Sequence, residues 1–165
     1  MAVDQPFAVP PYLLPSCTLR ALVDADEAGF LGHLLATMPP WQTLRYTTSA
    51  LQRYLLHPDP TLYRYAVVVQ ETSIGVVGVR YPWLRGAYLE LLGLTASYQG
   101  WGIGREILDW IEAQTRTASH NVWVLVSSFN SSARRFYARQ GYREIGTLSD
   151  FVQPGYDEIL LRKVL

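Results

Sequence analysis

The chain of 165 residues is long enough for one domain with a single sizeable core, and 49% hydrophobic against 17% charged residues is globular composition. Acidic and basic residues balance at 14 each, so no overall field exists to hold a polyanion, which argues against sequence-independent nucleic-acid binding. The single cysteine, Cys17, excludes an intrachain disulfide and a thiolate zinc centre, and His33, His57 and His120 lack metal-ligand spacing, so no metal is expected.

Residues 1–15 contain Pro10, Pro11 and Pro15 and read as an extended, loosely held N-terminal arm, with one domain over residues 16–165. The arm lacks the basic start and long apolar centre of a secretory signal. No apolar run approaches the ~20 residues that span a bilayer, so a cytoplasmic protein without a membrane partner is expected. Residues 17–23 suggest a first strand. Asp24 can cap a helix carrying Ala28, Phe30, Leu31, Leu34 and Leu35. Trp41, Leu44, Leu51, Tyr54 and Leu55 suggest a second helical stretch, ended by Pro58 and Pro60.

Residues 63–69 and 74–83 are rich in β-branched and aromatic side chains and make a hairpin pattern across the turn 71–73. After a turn at Arg85-Gly86, residues 87–95 continue as a strand. Ile103, Ile107 and Ile111 then stack at i, i+4, i+8 on a helix. Residues 122–126 are a short continuous apolar run, as expected of a strand covered on both faces. Asn130 can cap a helix carrying Ala133, Phe136 and Tyr137 that ends at Gly141, and strands follow around 142–147 and 157–164. The order implies a mixed α/β (α+β) layer on a largely antiparallel sheet, with a parallel step across the helix after residue 102.

The chemical signal lies where strand 87–95 ends. Gln99-Gly100-Trp101-Gly102-Ile103-Gly104-Arg105 places three alternating glycines before a strong helix. A helix start bares N–H groups at a positive dipole end, and glycines let backbone approach an anion, so the segment suits a phosphate without needing lysine. Arg105-Glu106 follow the last glycine where a P-loop needs Lys then Ser or Thr. The glycine spacing also misses the dinucleotide fingerprint.

Gln99-Gly100-Trp101-Gly102-Ile103-Gly104 resembles the Gln/Arg-x-x-Gly-x-Gly/Ala signature of the GNAT N-acetyltransferases. Residues 130–137, Asn-Ser-Ser-Ala-Arg-Arg-Phe-Tyr, with Gly141-Tyr142 after them, resemble that superfamily's second signature. Ala96 stands where many members have proline, and the first half of the chain carries no matching signature. The resemblance implies a GNAT fold: a mixed, mostly antiparallel central sheet with helices on both faces and splayed central strands that hold coenzyme A. It implies acetyl-CoA as co-substrate and a primary amine of a small molecule or of a peptide or protein N-terminus as acceptor.

The resemblance also implies site residues. Backbone of Leu92, Gly93 and Leu94 would hold the pantetheine arm. Gln99, Gly100, Trp101, Gly102, Ile103, Gly104 and Arg105 would form the pyrophosphate cradle. Asn130, Ala133, Arg135, Phe136 and Tyr137 would complete the cofactor wall, with the Tyr137 hydroxyl beside the sulfur as proton donor. Tyr137 also fits a core aromatic, Asn130 a plain helix cap, and Arg134 and Arg135 a solvated helix face. Glu90 shares strand parity with Leu92 and Leu94 and is the expected general base, although alternation equally allows a solvent-facing carboxylate. Asp150, Tyr156 and Glu158 in the last loop and strand are other groups placed to face the acceptor. A homodimer is compatible with this class. The same cradle would also serve a non-catalytic acyl-CoA sensor.

Overall fold

The computed structural model describes residues 5–165. In chain order they form β1 (Tyr12–Leu13), β2 (Thr18–Ala21), α1 (Ala25–Ala36), α2 (Thr48–Leu56), β3 (Leu62–Val69), β4 (Thr72–Trp83), β5 (Gly86–Leu94), α3 (Ile103–Arg116), β6 (Asn121–Ser127), α4 (Ser131–Arg139), β7 (Arg143–Gln153) and β8 (Tyr156–Val164). The strands form one sheet in the order β1-β2-β3-β4-β5-β6-β8-β7. Among the described strands only the β5–β6 pair is parallel.

Local chemistry accounts for most boundaries. The β3–β4 turn is Gln70-Glu71, both at positive φ (47° and 66°), the backbone twist that closes a two-residue hairpin. Asp24 caps α1 by accepting from the Glu27 N–H at 2.9 Å, and the Glu27 carboxylate reaches back to the Val23 N–H at 2.7 Å. Thr47 caps α2 through the Ala50 N–H at 3.1 Å. The second helical stretch is therefore shorter than its apolar pattern predicts. Residues 41–45 are turns, and Arg45 at φ 60° interrupts the chain before Thr47.

Helices cover both faces. Leu31, Leu35, Leu51 and Leu55 of α1 and α2 pack on Ala66, Val76 and Leu91. On the opposite face Ile103, Ile107 and Ile111 of α3 and Tyr137 of α4 pack on Val77, Val79, Leu89 and Val124.

The expected looseness of the arm does not hold for residues 5–15. Phe7 is fully buried, with its ring edge-on to Trp110 at 5.4 Å. Its N–H donates to Gln114 Oε1 at 3.1 Å and its carbonyl accepts from the Tyr65 hydroxyl. β1 adds two residues to the sheet edge beside β2. One aromatic anchor outweighs the proline-rich composition around it, because burying a phenylalanine contributes about 1.5–3 kcal/mol. Residues 1–4 lie outside the described part.

Candidate active site

The parallel pair β5–β6 is closed at one end and open at the other. Ala87, Tyr88 and Leu89 face Val122, Trp123 and Val124, and pairing stops there. From Leu91 to Leu94 β5 keeps only β4 as a partner, and from Leu125 to Ser127 β6 keeps only β8. The closed end is pinned from outside the ladder. Asn121 Nδ2 donates to the Arg85 carbonyl at 2.9 Å and Trp123 Nε1 donates to the Leu84 carbonyl at 3.1 Å. The open end is the expected splay, and it leaves strand backbone facing a gap rather than a neighbour.

The Gly100-to-Gly104 segment lies beyond the open end of β5. A single 3₁₀ turn over Ala96–Tyr98 connects them, and Gln99 Nε2 donates to the Leu94 carbonyl at 3.0 Å. The Gln99 side chain is thus spent on the loop itself, and its backbone N–H closes the same turn by donating to the Ala96 carbonyl at 3.3 Å. Gly100 and Gly102 sit at φ +81° and +84°, and a Cβ at either would meet open space. Their requirement is the left-handed backbone, with the space above them clear. Gly104 differs: a Cβ there would stand 3.2 Å from the Phe136 ring, so it serves the close approach of α3 to α4.

Caps distinguish the helices. Side-chain oxygens of Asp24, Thr47 and Asn130 cap α1, α2 and α4, whereas α3 starts at Gly102 with no side-chain cap among the described residues. The first N–H groups of the longest helix are bared at its positive end, with Arg105 exposed beside them. Trp101 is 68% exposed, its ring 5.5 Å from that of Tyr98. This arrangement fits the diphosphate of a coenzyme A molecule, because backbone donors and a guanidinium can neutralise it without further side chains.

From α4, Asn130, Ala133 and Tyr137 face the gap. Asn130 Oδ1 accepts from the Ala133 N–H at 3.3 Å, so its cap role is realised. Arg134 is committed to Glu144 at 2.7 Å, whereas Arg135 is exposed and makes no ion pair among the described residues. Tyr137 is 7% exposed, packed against Phe136 and Tyr142, and its hydroxyl has no hydrogen-bond partner among the described residues. Burial raises its phenol above the ordinary value, so it keeps its proton at neutral pH.

Glu90 does not share a face with Leu92 and Leu94. The β4–β5 register shifts between Gly78/Leu91 and Val79/Leu89, so Glu90 is the extra residue of a β-bulge. The bulge reverses the alternation on which the expected parity rests. Leu92 and Leu94 pack toward the α3 side, while Glu90 accepts from the Tyr54 hydroxyl of α2 at 2.8 Å and pairs with Arg80 at 3.2 Å. Arg80 also binds Asp59 at 2.8 Å, so Glu90 is one member of a charge network on the α1/α2 face.

A cavity of about 350 Å³ occupies the gap. One side is walled by Asn130, Ala133 and Tyr137, the other by Trp41, Tyr46 and Tyr54, with β5 and β6 residues between them. A ligand lying on the α3/α4 side can therefore meet one held on the α1/α2 side through the split in the sheet.

The sequence profile of the Acetyltransferase (GNAT) family matches residues 24–142. The chain belongs to the GNAT acetyltransferase family. A blasticidin-S acetyltransferase from Streptomyces morookaense is 32% identical over 96 residues, covering 58% of this chain and 68% of that protein. An acetyltransferase structure from Thermus thermophilus matches with a TM-score of 0.72 at 23% identity, over 93% of this chain and 100% of that one. RimJ of Mycobacterium smegmatis in complex with CoA-disulfide matches with a TM-score of 0.67 at 18% identity, over 94% and 86% of the two chains. These two likenesses show the fold.

As a GNAT member the protein is an acyltransferase, of a family that uses acetyl-CoA as co-substrate. No helix among the described residues is long and apolar enough to cross a membrane, and no group of three His, Cys, Asp or Glu among them could hold a metal ion. Of the late candidates, Asp150 caps its own turn by accepting from the Gly155 N–H at 2.7 Å, and Tyr156 stacks edge-on to Phe129 at 5.6 Å. Only Glu158 reaches the cavity of this acetyltransferase. It is 6% exposed, opposite Ser127 across β6–β8, and accepts from the Ser127 hydroxyl at 2.6 Å. Burial raises its carboxyl above the ordinary value, while the Ser127 bond opposes that shift. The signal in sequence is a glutamate within the alternation of β8, with Ile159 and Leu161 turned to the α3 side.

Proposed function

We propose that the protein transfers an acetyl group from acetyl-CoA to a primary amine, by direct attack while both substrates are bound. The observation that carries the reading is the split between β5 and β6, with the start of α3 beyond it and the Tyr137 hydroxyl facing it, the one without a side-chain cap and the other without a hydrogen-bond partner among the described residues. Bound acetyl-CoA supplies an activated carbonyl and a sulfur leaving group. The bared N–H groups of residues 102–105 hold the diphosphate, and Arg105 and Arg135 add charge at its edge. Backbone of Leu92, Gly93 and Leu94, released from β6, binds the arm as a strand would, and an N–H there steadies the carbonyl oxygen. Tyr137, protonated at neutral pH, gives its proton to the departing sulfur.

The α1/α2 wall of Trp41, Tyr46 and Tyr54 shapes the acceptor site. The blasticidin-S acetyltransferase relative supports a small-molecule acceptor ahead of a peptide or protein N-terminus. A cytoplasmic enzyme fits this reading, and neither a membrane nor a nucleic acid is needed. Glu90 is better suited to fixing the wall than to moving protons, because both of its carboxylate oxygens are engaged by Arg80 and one also accepts from the Tyr54 hydroxyl.

Two measurements test the proposal. Calorimetry should give a binding heat with coenzyme A, and a thiol-release assay should show turnover of acetyl-CoA with at least one primary amine. Folded protein that neither binds coenzyme A nor is protected by it from melting ends the proposal. Binding without thiol release across amines, amino acids and peptides would end the catalytic part.

A further inference from the structure

Two carboxylates line the cavity, and their surroundings differ. Glu90 is neutralised by Arg80. Glu158 is more deeply buried and forms no salt bridge among the described residues. Its one side-chain hydrogen bond among the described residues comes from the Ser127 hydroxyl, which satisfies part of its accepting capacity. The titratable groups around it are phenols: Tyr46 from the segment before α2, Tyr88 from β5 and, across the cavity, Tyr137 from α4. Burial first, and then the charge of Glu158, raise Tyr46; burial, Glu90 and Glu158 in that order raise Tyr88. These phenols stay neutral and cannot balance the carboxylate. On β7, Phe151 and Val152 close the cavity's edge with apolar surface. A buried charge without a counter-charge is costly unless a ligand supplies one.

We infer that Glu158 is the receptor and general base for an acceptor that arrives as an ammonium ion, so the substrate class is cationic amines. This rests on the acetyl-transfer reading of the same site. The carboxylate pairs with the ammonium, aided by the aromatic faces of Tyr46 and Tyr88, and takes one proton from nitrogen to expose its lone pair. The nitrogen–carbon bond then forms as the carbon–sulfur bond breaks. Tyr137 gives its proton to sulfur and recovers one from the same nitrogen through water. Glu158 releases its proton to solvent as product leaves. Nitrogen has lost two protons; one has replaced the acyl group on sulfur and one is free. Burial moves the Glu158 carboxyl toward the range in which a base works best near neutral pH.

The test compares the full chain with E158Q, E90Q and S127A, using alkylamines, charged at neutral pH, and an arylamine, uncharged there. E158Q should bind coenzyme A as the wild type does and melt no lower, since an unpaired buried charge has been removed. Its kcat/KM for alkylamines should fall ~10²-fold or more, with the arylamine affected far less. The acidic limb of the wild-type pH profile should vanish in E158Q, persist in E90Q and move to higher pH in S127A, which removes the bond that holds the carboxylate ionised. If E158Q fails to fold, S127A carries the same test through its shifted limb. Wild-type turnover with an unchanged limb in both E158Q and S127A overturns the inference and leaves acetyl transfer standing. A wild type that acetylates no amine ends both.

Discussion

The two ends of the β5–β6 pair are made of the same kinds of residue and do opposite things. At the closed end, Leu84, Arg85 and Gly86 are locked to Asn121 and Trp123, and a Cβ on Gly86 would collide with the Asn121 carbonyl. At the open end Leu92, Gly93 and Leu94 forgo a neighbour on the β6 side. Unpaired buried backbone costs about 1–3 kcal/mol per group, so a split in a sheet persists only when something else satisfies it. The pairing at one end and the gap at the other thus belong to the same two strands, and a change at the closed end tests whether it sets the width of the gap.

The sharpest test acts at the open end. Tyr137→Phe removes only the hydroxyl that faces the gap and has no partner among the described residues, so folding should be unaffected. Thiol release should fall ~10²–10⁴-fold with coenzyme A affinity unchanged by calorimetry, the pattern of a lost proton donor. Equal rates in wild type and variant would return Tyr137 to a packing role beside Phe136 and Tyr142.

Next comes the closed end. Gly86→Ala forces a methyl against the Asn121 backbone, which cannot yield without disturbing β6. The variant should be less stable by about 1–3 kcal/mol in denaturant unfolding. It should also bind coenzyme A more weakly, because the gap's width depends on that end. Lower stability with unaltered affinity would show that the two ends are independent.

The glycines separate conformation from contact. Gly102→Val introduces a side chain into open space, so no clash arises, yet φ +84° is strained for a β-branched residue by about 1–2 kcal/mol. If the strain relaxes by turning the first N–H groups of α3, coenzyme A affinity should drop about tenfold while α3 itself remains, visible in unchanged far-ultraviolet circular dichroism. Undiminished affinity would mean that the diphosphate is held elsewhere.

What could be read in the sequence was what is local. The glycine run, the Asn130 cap, the β3–β4 hairpin and the helix stripe at Ile103, Ile107 and Ile111 each depend on residues within a few positions of one another. Two features escaped because they depend on distant partners. Phe7 is an anchor only because Trp110 and Tyr65 are waiting for it. The extra residue at Glu90 reverses a face, and a bulge leaves no trace in a pattern of alternating side chains. Glu158 stands among the groups that the last strand places toward the acceptor; what spacing does not reveal is its burial and its lack of an ion pair among the described residues.

The smallest expected effect refines the role of the signature glutamine. Gln99 spends its amide on the Leu94 carbonyl, the last residue of β5. It therefore couples the open end of the strand to the cradle, and does so without touching a ligand through its side chain. Gln99→Ala should remove one exposed hydrogen bond, a change of about 0.5–1.5 kcal/mol. Because the bond orders the loop that carries Gly100 and Gly102, the loss should register as a two- to tenfold weaker coenzyme A affinity with kcat nearly constant. A fall in kcat at constant affinity would instead place the Gln99 side chain against the reacting group, and the glutamine would join the chemistry rather than the frame.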